Sequence, residues 1–459
     1  MRPYAAHAAS VATPCPAARF GARPWSVLVL SLLAVGCAGE DPRMAIEAAE
    51  VFSPSRTGTQ SPGIVELGQL LFFDPELSGN RDVACASCHM PVDHASDTLP
   101  LGIGVGASGT GHAREGGVVL PRHTLAPFNR SFARRLLWDG RVEQLDDKSL
   151  RILLAPNVEL PIPEGIDTPL EAQALLPILD RHEMRGQDGD VGVTALPNEL
   201  AAISDDDPRA VWDAVMVRLM AIDEYRVRFA GAFPSVPEGE HGIEHVARAL
   251  ARFEMRLWDL TDTPFDRYLG TEHTKPRDDA MSDSALRGAT LFFGDAGCAR
   301  CHNGPLLSDE SFHNIGVPPV GPGFDGQADE GRARVTGEPA DRFAFRTPSL
   351  RNVALTAPYF HNGSVPWLRD AVELHLDPER FVRGPTREGE SPDPSDVEAV
   401  FSTLDAGARP VLPVSPEEID DLVAFLEALS SDAEQSVFPG AGEPVEVPSG
   451  LAFPHSDRF

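Results

Sequence analysis

Two copies of Cys-x-x-Cys-His stand in this chain, Cys85-Ala86-Ser87-Cys88-His89 and Cys298-Ala299-Arg300-Cys301-His302, and they narrow the choice of fold more than any other feature. Thiols three residues apart can form thioethers with the two vinyl groups of one haem, and the imidazole that follows reaches the iron. Zinc is the other reading of Cys-x-x-Cys, but a structural zinc site usually needs a second Cys pair. The remaining cysteines are Cys15 and Cys37, both near the N-terminus, so the mature domains have no such pair and no expected disulfide. The chain is therefore expected to carry two covalently bound c-type haems, with His89 and His302 as the proximal ligands.

A chain of 459 residues is too long for one haem module and suits two or three domains. The approach to each motif is the same. Ile64 to Phe73 has helical apolar spacing before the first, Ser284 to Phe293 before the second, and both runs end in Leu-Phe-Phe. Downstream, Asn129 to Gly140 has the spacing of Asn352 to Gly363, with Trp138 in the place of His361. A repeat of this kind predicts a mainly α fold of two cytochrome c-like haem domains joined by a helical connector. The expected division is an N-terminal haem domain over 62–211, a connector over 212–275, a C-terminal haem domain over 276–435 and a loose Pro- and Gly-rich tail over 436–459. Pro234 to Gly242 is expected to break the connector into two helices.

The N-terminus reads as an export signal over 1–36: Arg2, Arg19 and Arg23, an apolar run from Trp25 to Val35, then small residues around Cys37. The run is too short to span a bilayer. Leu33 to Cys37 resembles a lipoprotein box, so acylation of Cys37 is expected to be the chain's one link to a membrane, with ordinary cleavage near by as the alternative. Residues 37–61 then read as a flexible tether and the location as the periplasm. A formal net charge of -30, from 69 acidic against 39 basic residues, argues against nucleic acid as a partner and favours a basic redox protein.

What each haem does depends on the sixth position of its iron. No Met follows Met281, so methionine from the downstream domain is excluded for the second haem. The nitrogen donors there are His313, His361, His375 and His455. Pro366 opens a helix on which Leu368, Ala371, Val372 and His375 share one face, and this favours His375 as ligand over a core histidine bonded to backbone. After the first haem motif His94, His112 and His123 follow, all in Gly- or Pro-broken sequence. An open sixth position there suits peroxide, and Glu183, after the helical run Leu170 to Leu179, is a candidate acid-base group. Taken alone that assignment is weak, because most surface glutamates are merely solvated.

From about Gly63 to Leu429 these residues resemble the bacterial di-haem cytochrome c peroxidase family, which includes MauG. The resemblance is carried by Leu71-Phe72-Phe73-Asp74-Pro75, the two haem motifs, Trp138-Asp139-Gly140-Arg141, Gln173-Ala174-Leu175 through Glu183-Met184, Phe312-His313-Asn314-Ile315-Gly316, and Thr347 to Asn352 through Tyr359 to Gly363. It implies that the first haem is peroxidatic and the second transfers electrons, that Trp138 relays between them, and that Glu183 is the acid-base glutamate. It also places Thr356 and Pro358 among the residues that hold an interdomain calcium, with His123 where the family has Asn. The loop that carries a displaceable distal His in the peroxidases has Val105 there, and His112 only through a gap. His375 stands where the peroxidases have Met and MauG has Tyr. An imidazole in place of a thioether lowers the haem potential.

Three functions follow. A peroxidase would reduce hydrogen peroxide at the His89 haem with electrons from a cytochrome c or a cupredoxin. A MauG-like enzyme would use a high-valent di-haem state to oxidise residues of a partner protein. A plain electron carrier would need both irons closed by protein ligands. The first two rank close together and above the third; a homodimer is compatible with each.

Overall fold

The computed structural model describes residues 42–54, 61–270, 274–384, 392–407, 413–431 and 442–454. The expected signal, Cys37 and His455 lie outside the described residues. In chain order the helices are α1 (Pro42–Ala48), α2 (Pro62–Phe73), α3 (Cys85–Cys88), α4 (Pro169–Gln173), α5 (Pro208–Ala221), α6 (Asp223–Ala232) and α7 (Ile243–Trp258). They continue with α8 (Pro264–Leu269), α9 (Asp283–Phe293), α10 (Ala333–Thr336), α11 (Leu368–Leu376), α12 (Pro378–Arg383), α13 (Pro394–Ser402) and α14 (Pro416–Glu427). The chain is thus mostly helical, with long irregular stretches between. None of the described helices is long and apolar enough to cross a membrane.

Two helix crossings organise the molecule. Gly68 of α2 lies against α7 so closely that a Cβ there would stand 2.0 Å from the Ala249 carbonyl oxygen and 2.8 Å from the Phe253 Cβ. Gly288 of α9 meets α14 in the same way, at 1.9 Å from the Asp421 oxygen and 2.9 Å from the Phe425 Cβ. Glycine inside a helix costs about 1 kcal/mol relative to alanine, and it is tolerated because no other residue allows the backbones to meet. Leu67, Leu71, Phe72, Trp212 and Trp258 are buried around the first crossing. Phe265, Phe292, Leu422 and Leu426 are buried around the second. Each opening helix starts on a defined signal. Pro62 occupies the first turn of α2, where a missing N–H is harmless. Ser282 accepts from the Ala285 amide at the start of α9. The crossing partner α14 has a reciprocal Ser415–Glu418 cap.

Several expectations differ from what is observed. Part of the stretch read as a tether forms α1, and Ile46 and Val51 pack into the second core. Apolar residues spaced too sparsely to show a period still bury themselves when a neighbouring surface is apolar. Part of the tail is docked as well: the Ser449 hydroxyl donates to Asp74 at 2.6 Å, and Phe453 meets Phe73 edge-on with ring centres 6.4 Å apart. Asp74 is buried at the end of α2 and also accepts from the Tyr225 hydroxyl at 2.8 Å, so donors from distant segments converge on it. Within 212–275 a second break, at Ile222, separates α5 from α6, where Asp223 and Glu224 open a new helix. The helical run expected to Leu179 stops at Gln173, with Pro177 unable to continue it. Residues 135–159 form a small antiparallel sheet with Arg135 opposite Glu143, Val142 opposite Ile152 and Leu153 opposite Glu159.

Candidate functional site

Cys85 and Cys88 stand at the two ends of α3, the short helix that follows α2 through the Asp74-Pro75 turn, and His89 caps it. His89 Nδ1 is 3.1 Å from the Ala95 carbonyl oxygen. A carbonyl only accepts, so Nδ1 carries the proton and Nε2 keeps the lone pair that a metal takes. Burial lowers the His89 pKa to about 4, which keeps the ring in that neutral form. The cavity beside these three residues, about 50 Å³, is lined by Phe72, Leu77, Ile178 and Met184 together with Arg130, Gln173, Glu183 and Glu254. Its described lining contains no imidazole but His89.

Glu183 reaches this cavity from Arg181–Arg185, a single wide π-helical turn rather than the expected loop, whose first amides donate to the Asp180 carboxylate. The chain around Gly104 lies flat against that turn: a Cβ at Gly104 would stand 1.9 Å from the His182 oxygen, and the Val105 amide donates to the same oxygen at 3.1 Å. Burial, with Asp180 adding and Arg141 opposing, pushes the Glu183 carboxyl up to about 8. The imidazoles weighed for this side lie elsewhere. His112 is 61 % exposed and 3.8 Å from Asp93. His94 is absent from the cavity lining and His123 lines the other cavity.

The second cavity is larger, about 230 Å³, and holds Cys298, Cys301, His302 and His375. His302 Nδ1 donates to the Leu307 oxygen at 2.9 Å, and His375 Nδ1 to the Ala371 oxygen at 2.7 Å. Both rings therefore keep Nε2 free. Burial first, then the neighbouring imidazole, lowers the His302 pKa to about 4; burial lowers that of His375 too. Their ring centres are 6.2 Å apart. Two imidazoles held end-on by one metal at roughly 2 Å each have centres about 6 Å apart. Leu368, Ala371 and Val372 of α11 line the cavity beside His375, the face read from the sequence. Two other histidines line this cavity with partners of their own: His313 lies between Asp405 at 2.7 Å and Asp309 at 3.0 Å, and His361 stacks on Phe345 at 3.6 Å.

One segment serves both cavities. His123, Thr124, Leu125 and Ala126 line the second, and Pro127 and Arg130 line the first. The Trp138 indole is buried in the wall of the second cavity and donates to the His123 carbonyl at 3.0 Å. Its backbone is fixed by the other half of the molecule, for the Arg346 amide donates to the Trp138 oxygen at 2.8 Å. Arg122 joins Asp139 at 2.5 Å to Asp329 at 2.6 Å. Burial alone would raise the Asp139 pKa; Arg122 and Arg141 hold it far below the carboxylate range.

The donor sets suit haem: two pairs of thiols, each with a neutral imidazole beside a cavity. Calcium takes six to eight oxygen ligands; the carbonyls of Thr356 and Pro358 are of that kind, and the side chain at 123 is not. His123 presents an imidazole whose Nδ1 is bonded to the Leu99 oxygen at 2.9 Å, and the Thr356 hydroxyl is turned to the Val353 oxygen at 3.2 Å. Pro358, across a cis Ala357-Pro358 bond, lines the second haem cavity. The residue that sequence reasoning missed is Glu254. Its signal was a carboxyl four residues after Leu250, inside the otherwise apolar stripe of α7.

Residues 62–274 match the family model described as di-haem cytochrome c peroxidase. The methylamine utilization protein MauG of Methylorubrum extorquens is 31% identical over 380 residues, covering 83% of this chain and 81% of that protein. The cytochrome c551 peroxidase of Pseudomonas aeruginosa is 30% identical over 375 residues, covering 82% of this chain and 80% of that one. Among solved structures, a MauG-like protein associated with microbial copper homeostasis aligns with a TM-score of 0.58 at 24% identity, over 86% of this chain and 97% of that one. The diheme peroxidase BthA of Burkholderia thailandensis aligns with a TM-score of 0.56 at 21% identity, over 86% of this chain and 93% of that chain. With two haem motifs in one mostly helical frame, and with relatives matched over most of their own length, the chain belongs to the di-haem cytochrome c peroxidase and MauG family of haem oxidoreductases.

Proposed function

We propose that the chain reduces hydrogen peroxide at the His89 side with electrons that a small redox protein delivers to the His302 side. The observation that carries this reading is the inequality of the two cavities: an imidazole 6.2 Å from His302 in one, and the carboxyls of Glu183 and Glu254 with no second imidazole in the other. Covalently bound haem at each motif supplies the one-electron chemistry. Cys85 and Cys88 hold one haem and Cys298 and Cys301 the other, with His89, His302 and His375 as iron ligands. Glu183 takes the proton from one peroxide oxygen and returns it to the other. Gln173, in the same lining, offers an amide to orient the substrate. Trp138 bridges the two sides. Calcium is left out of this proposal, because His123 brings an imidazole where an oxygen donor would be needed.

A MauG-like role, in which electrons are removed from side chains of a partner protein, is supported by His375. An imidazole there in place of a thioether lowers the potential of the second haem and suits a scheme without a high-potential donor. Titrating the fully oxidised protein with peroxide separates the readings. Two oxidising equivalents stored without prior reduction establish the MauG-like role. A reaction that waits for a reduced second haem establishes the peroxidase, and an unchanged spectrum in every redox state leaves only a carrier.

The proposed organisation is two related haem units, 62–211 and 276–435, bridged by 212–275, whose helix α7 packs on the first unit's α2. The proposed location is the periplasm, after removal of residues 1–36 and with Cys37 acylated. The net charge of -30 selects a basic donor.

A further inference from the structure

The two crossings share one register, and a single position in it breaks the likeness. With Phe253 over Gly68 and Phe425 over Gly288 taken as equivalent, the residues three earlier are Leu250 and Leu422, and the residues one later are Glu254 and Leu426. All four line their own cavities. A leucine that packs into the second cavity is thus replaced by a carboxyl in the first. No role assigned above uses it.

The surroundings of Glu254 make that carboxyl unusual. It has no hydrogen-bond or ion-pair partner among the described residues. The other titratable groups in the lining are Cys85, Cys88, His89, Arg130 and Glu183. Arg130 attracts the carboxylate and donates from Nε and Nη2 to the Ala126 and Leu125 oxygens. Asp259, beyond the end of α7, repels it. On the outer side of α7, Glu171 of α4 is turned to Arg248 and Arg252, and neither α2 nor α5 adds a titratable group to the lining. Burial raises the Glu254 pKa to about 7, so its charge responds to small changes in the cavity. An electron arriving at the neighbouring haem removes one positive charge and favours the protonated carboxyl. In a cavity of low dielectric this shifts the titration by on the order of one pH unit.

We propose that Glu254 is the redox-linked proton site of the first haem. One electron from the donor protein enters the iron, and one proton from solvent binds the Glu254 carboxylate; oxidation releases both. The inference rests on the reading that Cys85, Cys88 and His89 hold a haem.

The test is a spectroelectrochemical titration of the holoprotein from pH 5 to 9, following the first haem. In the wild type its midpoint potential should fall with rising pH near neutrality, with at most about half a proton taken up per electron for a shift of that size. Glu254→Gln, and Glu254→Leu as a copy of Leu426, should remove the dependence near pH 7, whereas Glu183→Gln should remove only the part near pH 8. A slope near pH 7 that survives Glu254→Gln, or one there that is lost in Glu183→Gln instead, overturns the assignment. Should the Glu254 variants fail to fold, the wild type still decides. Its redox-difference infrared spectrum must gain a protonated-carboxyl band when the first haem is reduced, and the absence of that band overturns the proposal. Loss of the haem reading itself looks different, as a Cys85–Cys88 peptide of unmodified mass.

Discussion

The cavity behind His302 and the cavity behind His89 begin alike and end in opposite chemistry. Each follows a helix that crosses a partner at a glycine, and each has an imidazole whose Nδ1 is tied to a backbone carbonyl, at 2.9 Å for His302 and 3.1 Å for His89. The difference comes from what the chain supplies next. Helix α11 carries His375 on its inner face and closes the second cavity. The π turn at Arg181–Arg185 brings Glu183 to the first and leaves the place opposite His89 without an imidazole. On the function proposed above, a common scaffold would separate electron storage from bond cleavage by changing a few side chains, Glu254 on a crossing helix among them.

The largest test of that contrast is Glu183→Gln. Loss of a general acid-base group should slow peroxide turnover roughly 100- to 10,000-fold, about 3–5 kcal/mol in the barrier, while haem content by absorbance stays at two. The carboxyl is held near pH 8 by burial. Only its ionised form can take a proton, so the wild-type rate should rise with pH through about 8, and that inflection should vanish in the variant. An unchanged rate would end the assignment of Glu183.

Next in size are the paired substitutions Gly68→Ala and Gly288→Ala. A Cβ would stand 2.0 Å and 1.9 Å from a backbone oxygen at these two positions, and overpacking of this kind costs about 3 kcal/mol. Chemical denaturation should show similar losses for both, because the two crossings are built alike. A much smaller loss at one of them would show that its helices can slide apart.

How much of this was legible in the sequence follows the same division. Helices α2 and α9 were, because Leu-Phe-Phe runs with a 3.6-residue period report their own buried face, and so was the face that His375 shares with Leu368 and Ala371; α14, the partner of α9, was not. The segments between them were not. The sheet at 135–159 depends on pairing, the π turn depends on Asp180 and the chain at Gly104, and the docking of Ser449 depends on an acceptor 375 positions away. Glu254 was visible only as a break in an apolar stripe. It gained meaning when its register with Leu426 was known.

A smaller effect is expected from His375→Met. A thioether should raise the potential of the second haem by on the order of 0.1 V, about 2 kcal/mol, and leave the first haem unmoved in a redox titration. A shift in the first haem, or none in either, would remove His375 as the ligand of the second.

The smallest effect, and the one that guards the comparison, is His112→Ala. If a histidine from the 102–118 loop swung over the first cavity, the two sites would become chemically similar and the contrast would be one of redox state alone. The packing opposes this. Val105 faces the interior where that loop meets the His182 oxygen, Gly104 has no room for a side chain, and His112 is 61 % exposed beside Asp93. Replacing an exposed side chain of this kind changes stability by less than about 0.5 kcal/mol. The absorption spectrum of the first haem should therefore be the same in variant and wild type, oxidised and half-reduced. A change confined to one redox state would identify His112 as a ligand that moves, and would make the openness of the first cavity conditional on the charge of the second.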